Sequence, residues 1–214
     1  MKNIAVLVSG GGTNLQAIID AINIGKIKNG VIKIVISSRP DAYALTRAES
    51  NCIETCVIDP HVYAERSDYT SVIVQKLLEY QIDLVILGGF GYILTEKFTQ
   101  TFSNRIINVH PTLIPSFCGL GYYGLKVHKA VLDAGVKITG ATVHFVNEIL
   151  DGGPIILQKA IDVNEEDTPE SLQRRVMEEC EWDILTKAVN LFCQDRLYID
   201  ENNIARIKQG GCNK

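Results

Sequence analysis

The N-terminal half of the chain alternates between short apolar runs and amphipathic stretches, and this alternation restricts the fold more than any other feature. Ile4–Val8 is a continuous apolar run that ends at the glycine-rich segment Ser9–Gly12, and apolar residues then recur at helical spacing within Asn14–Ile22. Continuous apolar runs of this length are typical of strands buried on both faces of a parallel sheet. The sequence therefore predicts an α/β fold, with an open, mostly parallel, twisted sheet and helices on both faces.

The same patterns predict the other elements along the chain. Strands are predicted at residues 31–36, 52–58, 84–87 and 106–109, and helices at 42–51, 69–80 and 125–134. Strand-like runs at 141–146 and 155–160 flank a glycine-containing turn and predict an antiparallel hairpin in the C-terminal part. Thr168 followed by Pro169 is typical of a helix start and predicts one long helix to about residue 191.

Composition excludes several classes of protein. The chain has 214 residues, 46% of them hydrophobic and 21% charged, which favours one ordered domain over residues 1–214. A net charge of −4 gives no reason to expect nucleic-acid binding, and the apolar runs are shorter than the ~20 residues that span a bilayer. The six cysteines fit neither a disulfide framework nor a zinc site. We expect a cytoplasmic protein without a metal or a membrane partner.

The glycine-rich turn after the first strand is a candidate anion site. Gly11 and Gly12 allow close approach of a ligand to the backbone, and the following helix presents free N–H groups. Thr13 and Asn14 add side-chain donors. The turn is neither the dinucleotide fingerprint, which needs a third glycine, nor a Walker loop, which needs a lysine. A phosphate site is the favoured interpretation, and a tight turn without a ligand is the alternative.

A second group of polar residues follows the strand predicted at 106–109. Asn108 and His110 lie two apart, so both side chains project from the same face, near the edge where open α/β sheets bind ligands. Asp151 begins the Gly-Gly-Pro turn, where a plain turn residue is the alternative. His144 lies inside a predicted strand and is interpreted as a structural residue or one that supports the site.

Five segments carry more specific motifs, at residues 1–18, 36–42, 88–94, 107–115 and 142–155. Asn108-Val-His-Pro111 together with Asp151-Gly-Gly-Pro154 is characteristic of the wider formyltransferase superfamily. The Ser-Gly-x-Gly-Thr-Asn pattern of Ser9–Asn14 narrows the match. Over about residues 1–195 the chain resembles the folate-dependent phosphoribosylglycinamide formyltransferases.

The resemblance implies a Rossmann-like fold and a reaction of purine biosynthesis. The formyl group of 10-formyltetrahydrofolate, the co-substrate, moves to the amine of 5'-phosphoribosylglycinamide, without a metal. The N-terminal half, to about residue 105, holds the substrate phosphate, residues 106–195 supply catalysis and folate binding, and a polar tail follows. The implied catalytic residues are Asn108, His110 and Asp151, and the implied substrate-binding residues are Gly11, Gly12, Thr13, Asn14 and Glu181.

The family's folate-contacting residues map onto two stretches of the chain, one isolated arginine and Asn108. The implied residues are Arg66, Phe90, Gly91, Tyr92, Ile93, Leu94, Asn108, Val146, Asn147 and Glu148. Around Glu181 the spacing is one residue longer than in the family pattern, so Glu178 or Glu179 could take the ribose-binding role. Tyr92, Trp182 and the loop 119–124 also depart from the pattern.

Other activities share the superfamily motifs. A hydrolase of formyltetrahydrofolate is expected to carry an extra N-terminal domain, and a transferase acting on initiator tRNA a basic C-terminal domain. A sugar-nucleotide formyltransferase and a non-catalytic folate- or nucleotide-binding protein are further alternatives, although the latter would have no need of the three polar residues. We expect small-molecule substrates and either a monomer or a homodimer.

Overall fold

A seven-stranded sheet forms the centre of the structure, a computed structural model that describes residues 1–208. Most of the predicted polar tail, residues 209–214, lies outside the described residues. The strands of the sheet are β1 (Lys2–Val8), β2 (Gly30–Ser37), β3 (Glu54–Val57), β4 (Leu84–Leu87), β5 (Ile106–His110), β6 (Ile138–Phe145) and β7 (Ile155–Asp162). Their spatial order is β3-β2-β1-β4-β5-β6-β7.

The pairing of the strands confirms the predicted fold class. Strands β1 to β5 are parallel to their neighbours, whereas β6 is antiparallel to both β5 and β7. The chain builds outward from β1 through β2 and β3, and then returns to the other side of β1 with β4. This reversal creates a topological switch point between β1 and β4, and ligands of open α/β sheets bind beside the carboxyl ends of such strands.

Helices cover both faces of the sheet. They are α1 (Thr13–Asn23), α2 (Tyr43–Glu49), α3 (Arg66–Glu79), α4 (Glu96–Thr101), α5 (Leu125–Asp133), α6 (Pro169–Val176) and α7 (Trp182–Cys193). Two separate clusters of buried apolar residues result, because the alternate side chains of each strand pack against helices on opposite faces. The larger cluster includes residues of α1 and α7, and the smaller one includes residues of α3 and α4.

The sequence patterns missed three features. The short helix α4 and a separate hairpin of β8 (Leu197–Ile199) and β9 (Ala205–Ile207) were not predicted. The prediction of one long helix from Thr168 is wrong in detail, because a π-helical turn, Met177–Glu181, separates α6 from α7. In that turn the N–H of Trp182 donates to the carbonyl of Met177, five residues earlier. Such a turn contains one more residue than an α-helical turn.

Removing one residue from the π turn is expected to restore a continuous α-helix with both flanks in register. Deleting the exposed Glu179 keeps Cys180 in the core and removes only the surface ion pair with Arg175, so it should cost about 1 kcal/mol or less. Deleting Cys180 instead moves a glutamate into the buried position, where an unpaired carboxylate is strongly disfavoured. Thermal denaturation should show a much lower Tm for the second deletion, and equal losses in both variants would contradict the expectation.

Candidate active site

The two polar residues of β5 meet a histidine of β6. Asn108 pairs directly with His144 in the antiparallel register, so their side chains share one face of the sheet. The Asn108 Nδ2 atom lies 3.2 Å from His144 Nε2. The expectation that Asn108 and His110 project from the same face agrees with the fact that Asp151 lies close to both His110 and His144.

His144 orients the amide of Asn108. The Nδ1 of His144 is 2.8 Å from the carbonyl oxygen of Phe145, an acceptor, so this nitrogen carries the proton. Burial lowers the pKa of His144, which favours the neutral ring. Its Nε2 is therefore a bare acceptor and receives one N–H of Asn108. The second N–H of that amide remains available for a substrate oxygen.

One ring nitrogen of His110 is held in a hydrogen bond, and the other is free to exchange a proton. Its Nε2 donates to the carbonyl of Phe117 at 2.9 Å, and its Nδ1 lies 3.7 Å from an Oδ2 of Asp151. That gap exceeds a hydrogen bond, so a water or a substrate atom would have to bridge it. Asp151 Oδ2 accepts instead from the N–H of Gly119 at 2.8 Å. The proton chemistry of this pair therefore centres on Nδ1 of His110.

The turn between β6 and β7 brings Asp151 to this position. Asp151 has a left-handed backbone, with φ of 54°, which aspartate tolerates better than most residues. Gly153 passes so close to β6 that an added Cβ would overlap the carbonyl oxygen of Phe145. The shape of the turn thus requires glycine at position 153, and the turn holds the carboxylate of Asp151, which is 9% exposed, beside the two histidines.

The glycine-rich turn lies at the end of β1, two strands away from β5 and so at a distance of about 10 Å in the plane of the sheet. Gly12 is the N-cap of α1 with φ of 71°, and a Cβ there would lie 2.6 Å from that of Ala44. Thr13 and Asn14 form the first turn of α1. This turn and the polar residues of β5 could therefore contact two ends of one small molecule.

The π turn closes over the first turn of α1. Thr13 Oγ1 donates to the sulfur of Met177 at 3.1 Å, and Asn14 Nδ2 donates to Glu181 Oε2 at 2.9 Å. Glu181 is buried, whereas Glu178 and Glu179 are exposed. The extra residue noted in the sequence spacing thus lies in the turn that carries Glu181 to Asn14. The buried Oδ1 of Asn14 has no hydrogen-bond partner among residues 1–208, so a ligand donor could satisfy it.

Glu181 should make stability depend on pH. Burial raises its pKa from 4.5 to about 6, although the hydrogen bond from Asn14 opposes the shift. The folded state thus holds the proton of Glu181 more tightly than the unfolded state does. The resulting stabilisation is complete below pH 4.5 and is lost as the pH rises through about 6. Glu181→Gln stays neutral, so relative to the parent it should gain about 2 kcal/mol between pH 4.5 and 8. Urea denaturation at both pH values measures the difference, and a pH-independent difference would contradict the assignment.

Comparison with known proteins identifies the family. The formyl transferase family profile matches residues 2–189. The phosphoribosylglycinamide formyltransferase of Haemophilus influenzae is 40% identical over 202 residues, which cover 94% of this chain and 92% of that protein. The chain belongs to the phosphoribosylglycinamide formyltransferase family.

Two further relatives of this formyltransferase agree with the assignment. The chloroplastic phosphoribosylglycinamide formyltransferase of Arabidopsis thaliana is 38% identical over 209 residues, covering 97% of this chain and 70% of that protein. The crystal structure of glycinamide ribonucleotide transformylase 1 from Symbiobacterium toebii has a TM-score of 0.91 at 42% identity and covers 98% of this chain and 95% of that one. The Rossmann-like fold expected from the resemblance is confirmed.

The segment between β4 and α4 lies beside the glycine-rich turn of this formyltransferase. Phe90, Tyr92 and Leu94 pack against the smaller core cluster, while Gly91 and Ile93 are exposed. The ring of Tyr92 meets that of Tyr69 on α3 edge-on, with centroids 5.8 Å apart. Val146 packs against the same cluster. These residues form one half-buried aromatic and aliphatic surface.

Ser9 joins this segment to the glycine-rich turn, a role that the sequence did not predict. Its Oγ accepts from the N–H of Gly91 at 2.9 Å and lies 2.7 Å from the Oγ of Ser38. The position of Ser9 between an apolar strand and three glycines could have indicated this role, because a hydroxyl at the end of a strand needs hydrogen-bond partners. The two candidate binding segments are therefore directly hydrogen-bonded.

Three polar residues that were predicted to bind folate make no hydrogen bond or ion pair with the cluster of Asn108, His110, His144 and Asp151. The Arg66 side chain, exposed at the start of α3, has no hydrogen bond or ion pair within the described residues. Asn147 uses its side-chain oxygen to cap the N–H of Ile149, and Glu148 is exposed. Arg66 lies one helical turn from Tyr69, which places it near the surface that includes Tyr92.

Residues 1–208 contain neither a candidate metal site nor a membrane-spanning helix. No group of three or more histidine, cysteine, aspartate or glutamate side chains could hold a metal ion there. In the same part of the chain, no helix is both long enough and apolar enough to cross a membrane.

Proposed function

We propose that this chain transfers the formyl group of 10-formyltetrahydrofolate to the amine of 5'-phosphoribosylglycinamide, with Asn108, His110 and Asp151 as catalytic residues. The observation that carries the proposal is that these three side chains cluster around His144 in a chain whose sequence and fold are those of this family. The reaction forms a bond between the substrate amine and the formyl carbon and breaks the bond from that carbon to N10. One proton leaves the amine and one is gained at N10, so no net acid or base is consumed.

Asn108 stabilises the charge that develops on the formyl oxygen. Its Nδ2 is already oriented by the bare Nε2 of His144, and the remaining N–H can donate to that oxygen without reorganisation. A pre-oriented donor of this kind typically lowers a barrier by about 3–4 kcal/mol. His144 does not touch the reacting atoms in this scheme and acts as a positioning residue.

His110 and Asp151 handle the proton. Nε2 of His110 is occupied by Phe117, so Nδ1, which lies 3.7 Å from the carboxylate of Asp151, is the nitrogen that gains or loses a proton. Asp151 then accepts the amine proton, directly or through a water that bridges the gap, and this proton is passed on to N10 as the bond from the formyl carbon to N10 breaks. No serine or cysteine nucleophile is needed, because neither substrate has to be attached to the protein.

The phosphate and ribose of the substrate fit the first turn of α1. The N-terminal N–H groups and the helix dipole favour an anion beside Gly11, Gly12 and Thr13. A ribose hydroxyl can donate to the unsatisfied Oδ1 of Asn14 or to Glu181. Anchoring the phosphate away from the reacting amine makes binding energy available for positioning it.

The half-buried surface between β4 and α4 suits a flat aromatic ligand such as the pterin and benzoyl rings of the folate. Its aromatic chain of Tyr63, Tyr69, Tyr92 and Phe90 has centroid separations of 5.8–6.0 Å. When bound there, the folate supplies an activated formyl group. The protein's own contribution is to hold that ring system near Asn108 and to keep Tyr92 packed, since Tyr92 takes the place of an arginine in the family pattern.

An absorbance assay of folate deformylation tests the proposed reaction. The purified chain should convert formyl folate rapidly with phosphoribosylglycinamide present and only slowly without it. Equal rates with and without the ribonucleotide would indicate a hydrolase instead. No conversion in either case by the folded protein would support a binding protein.

Replacing Asn14 by alanine is expected to weaken ribonucleotide binding selectively. The change removes the partner of Glu181 and leaves that buried carboxylate without its hydrogen bond. The KM for phosphoribosylglycinamide should rise about tenfold or more, corresponding to at least about 1.4 kcal/mol, while the KM for formyl folate changes little. Steady-state kinetics with each substrate varied measure both values, and an equal rise in the two would contradict the assignment.

A further inference from the structure

Arg47 of α2 reaches across to the glycine-rich turn. Its Nε donates to the carbonyl oxygen of Gly11 at 2.8 Å, and its Nη1 donates to Oε1 of Gln16 at 3.1 Å. The guanidinium also lies 5.0 Å above the ring of Tyr43. Two hydrogen bonds and an aromatic face hold this half-buried group in one place. The sequence patterns did not indicate Arg47.

The contacts from α2 determine where the turn's own N–H groups point. The N–H of Ala44 donates to the Gly10 carbonyl, and Arg47 donates to the Gly11 carbonyl, so both carbonyls face α2. In a trans peptide the next N–H points the opposite way, so those of Gly11 and Gly12 face away from α2. Neither has a hydrogen-bond partner within residues 1–208. Consecutive free N–H groups beside a left-handed residue form an anion-binding nest.

Within residues 1–208, the charge of Arg47 has no counter-ion. No carboxylate of the described residues lies within 4 Å of its guanidinium, whereas several other cations of the chain do have such a partner. Three of its five N–H groups lack a partner in the same part of the structure. A half-buried cation without a counter-ion, next to an anion nest, is arranged for an anionic ligand.

We propose that Arg47 is a positioning residue for the ribonucleotide phosphate: it holds the Gly11 carbonyl so that the nest faces the ligand, and it balances part of the phosphate charge. The inference rests on the proposed function, since that function supplies the phosphate. It adds a residue from α2 to a site otherwise formed by the β1–α1 turn and the π turn.

Arg47→Gln and Arg47→Lys separate the two contributions. The glutamine variant loses the charge, and the KM for phosphoribosylglycinamide should rise tenfold or more, with kcat and the folate KM within twofold of the parent. The lysine variant keeps the charge without the paired donors, so its KM should rise only about threefold. Arg174→Gln, an exposed arginine on α6, is the matched control and should change neither KM.

A second readout does not depend on turnover. Inorganic phosphate should raise the Tm of the parent, because it binds the folded state, and should raise that of Arg47→Gln much less. The ribonucleotide KM of the parent should also increase more steeply with salt than that of Arg47→Gln. A merely structural role for Arg47 would lower the Tm without changing either dependence.

The outcomes distinguish this inference from the proposed function. A ribonucleotide KM of Arg47→Gln that stays at the parent's value, or an unchanged phosphate effect on Tm in that variant, would overturn the role of Arg47. If Asn14→Ala raises the ribonucleotide KM while Arg47→Gln does not, Arg47 fails and the phosphate turn stands. If neither variant changes that KM, the assignment of the turn itself fails.

Discussion

Replacing His110 by glutamine is expected to lower kcat by about two to four orders of magnitude, the usual contribution of a positioned proton-transfer group. Glutamine keeps a nitrogen that can donate to Phe117, as Nε2 of His110 does at 2.9 Å, but it supplies no proton-exchanging group opposite Asp151. Both KM values should stay within a few-fold of the parent, because the phosphate turn and the aromatic surface are untouched. Absorbance kinetics at saturating substrates measure the effect.

His61→Gln is the matched control for this variant. His61 lies exposed in a 3₁₀ turn, Pro60–Val62, and its side chain has no hydrogen bond in the described residues. Its replacement should leave kcat unchanged. Turnover by a folded His110→Gln protein at the level of His61→Gln would remove His110 from the mechanism, and circular dichroism would establish that the variant is folded.

Replacing Asn108 by alanine is expected to lower kcat by about 10²–10³-fold, since it removes a pre-oriented donor to the developing oxyanion. The loss should come in kcat, because the donor matters more in the transition state than in the bound substrates. Asn108→Asp offers a stricter test, because it keeps the shape and replaces the donor with a negative charge. It should be at least as slow as the alanine variant.

Asn164→Ala is the control for the Asn108 variants. Asn164 is exposed after β7, and its side chain makes no hydrogen bond within residues 1–208. A second comparison uses His144, because its bare Nε2 is what orients Asn108. His144→Phe should lower kcat less than Asn108→Ala does, and adding it to Asn108→Ala should have little further effect on kcat. Independent, additive losses would show that His144 does not act through Asn108.

Local sequence patterns predicted the elements of the sheet well, since each depends on short-range periodicity. The continuous apolar run of Ile4–Val8 was sufficient to predict a buried parallel strand, which is β1. Alternation within β5 was likewise sufficient to predict that Asn108 and His110 share a face. The hairpin around Asp151 was also expected, and it pairs as β6 and β7.

The choice among three glutamates could not be made from spacing. Helical periodicity assumes 3.6 residues per turn, and the π turn before Glu181 breaks that assumption. The packing of α6 and α7 on the sheet decided which carboxylate faces Asn14. The single long helix predicted from Thr168 failed at the same point and for the same reason.

The α/β class, the glycine turn at the end of β1 and the placement of Asn108 and His110 on one face could all be predicted from the amino-acid pattern, because they follow from contacts between near neighbours in the chain. Tertiary structure alone decided that Asp151 lies 3.7 Å from His110, that Glu181 meets Asn14, and that Arg47 holds Gly11. Each of these pairs joins segments far apart in sequence, and their distances depend on how whole helices and turns pack against the sheet.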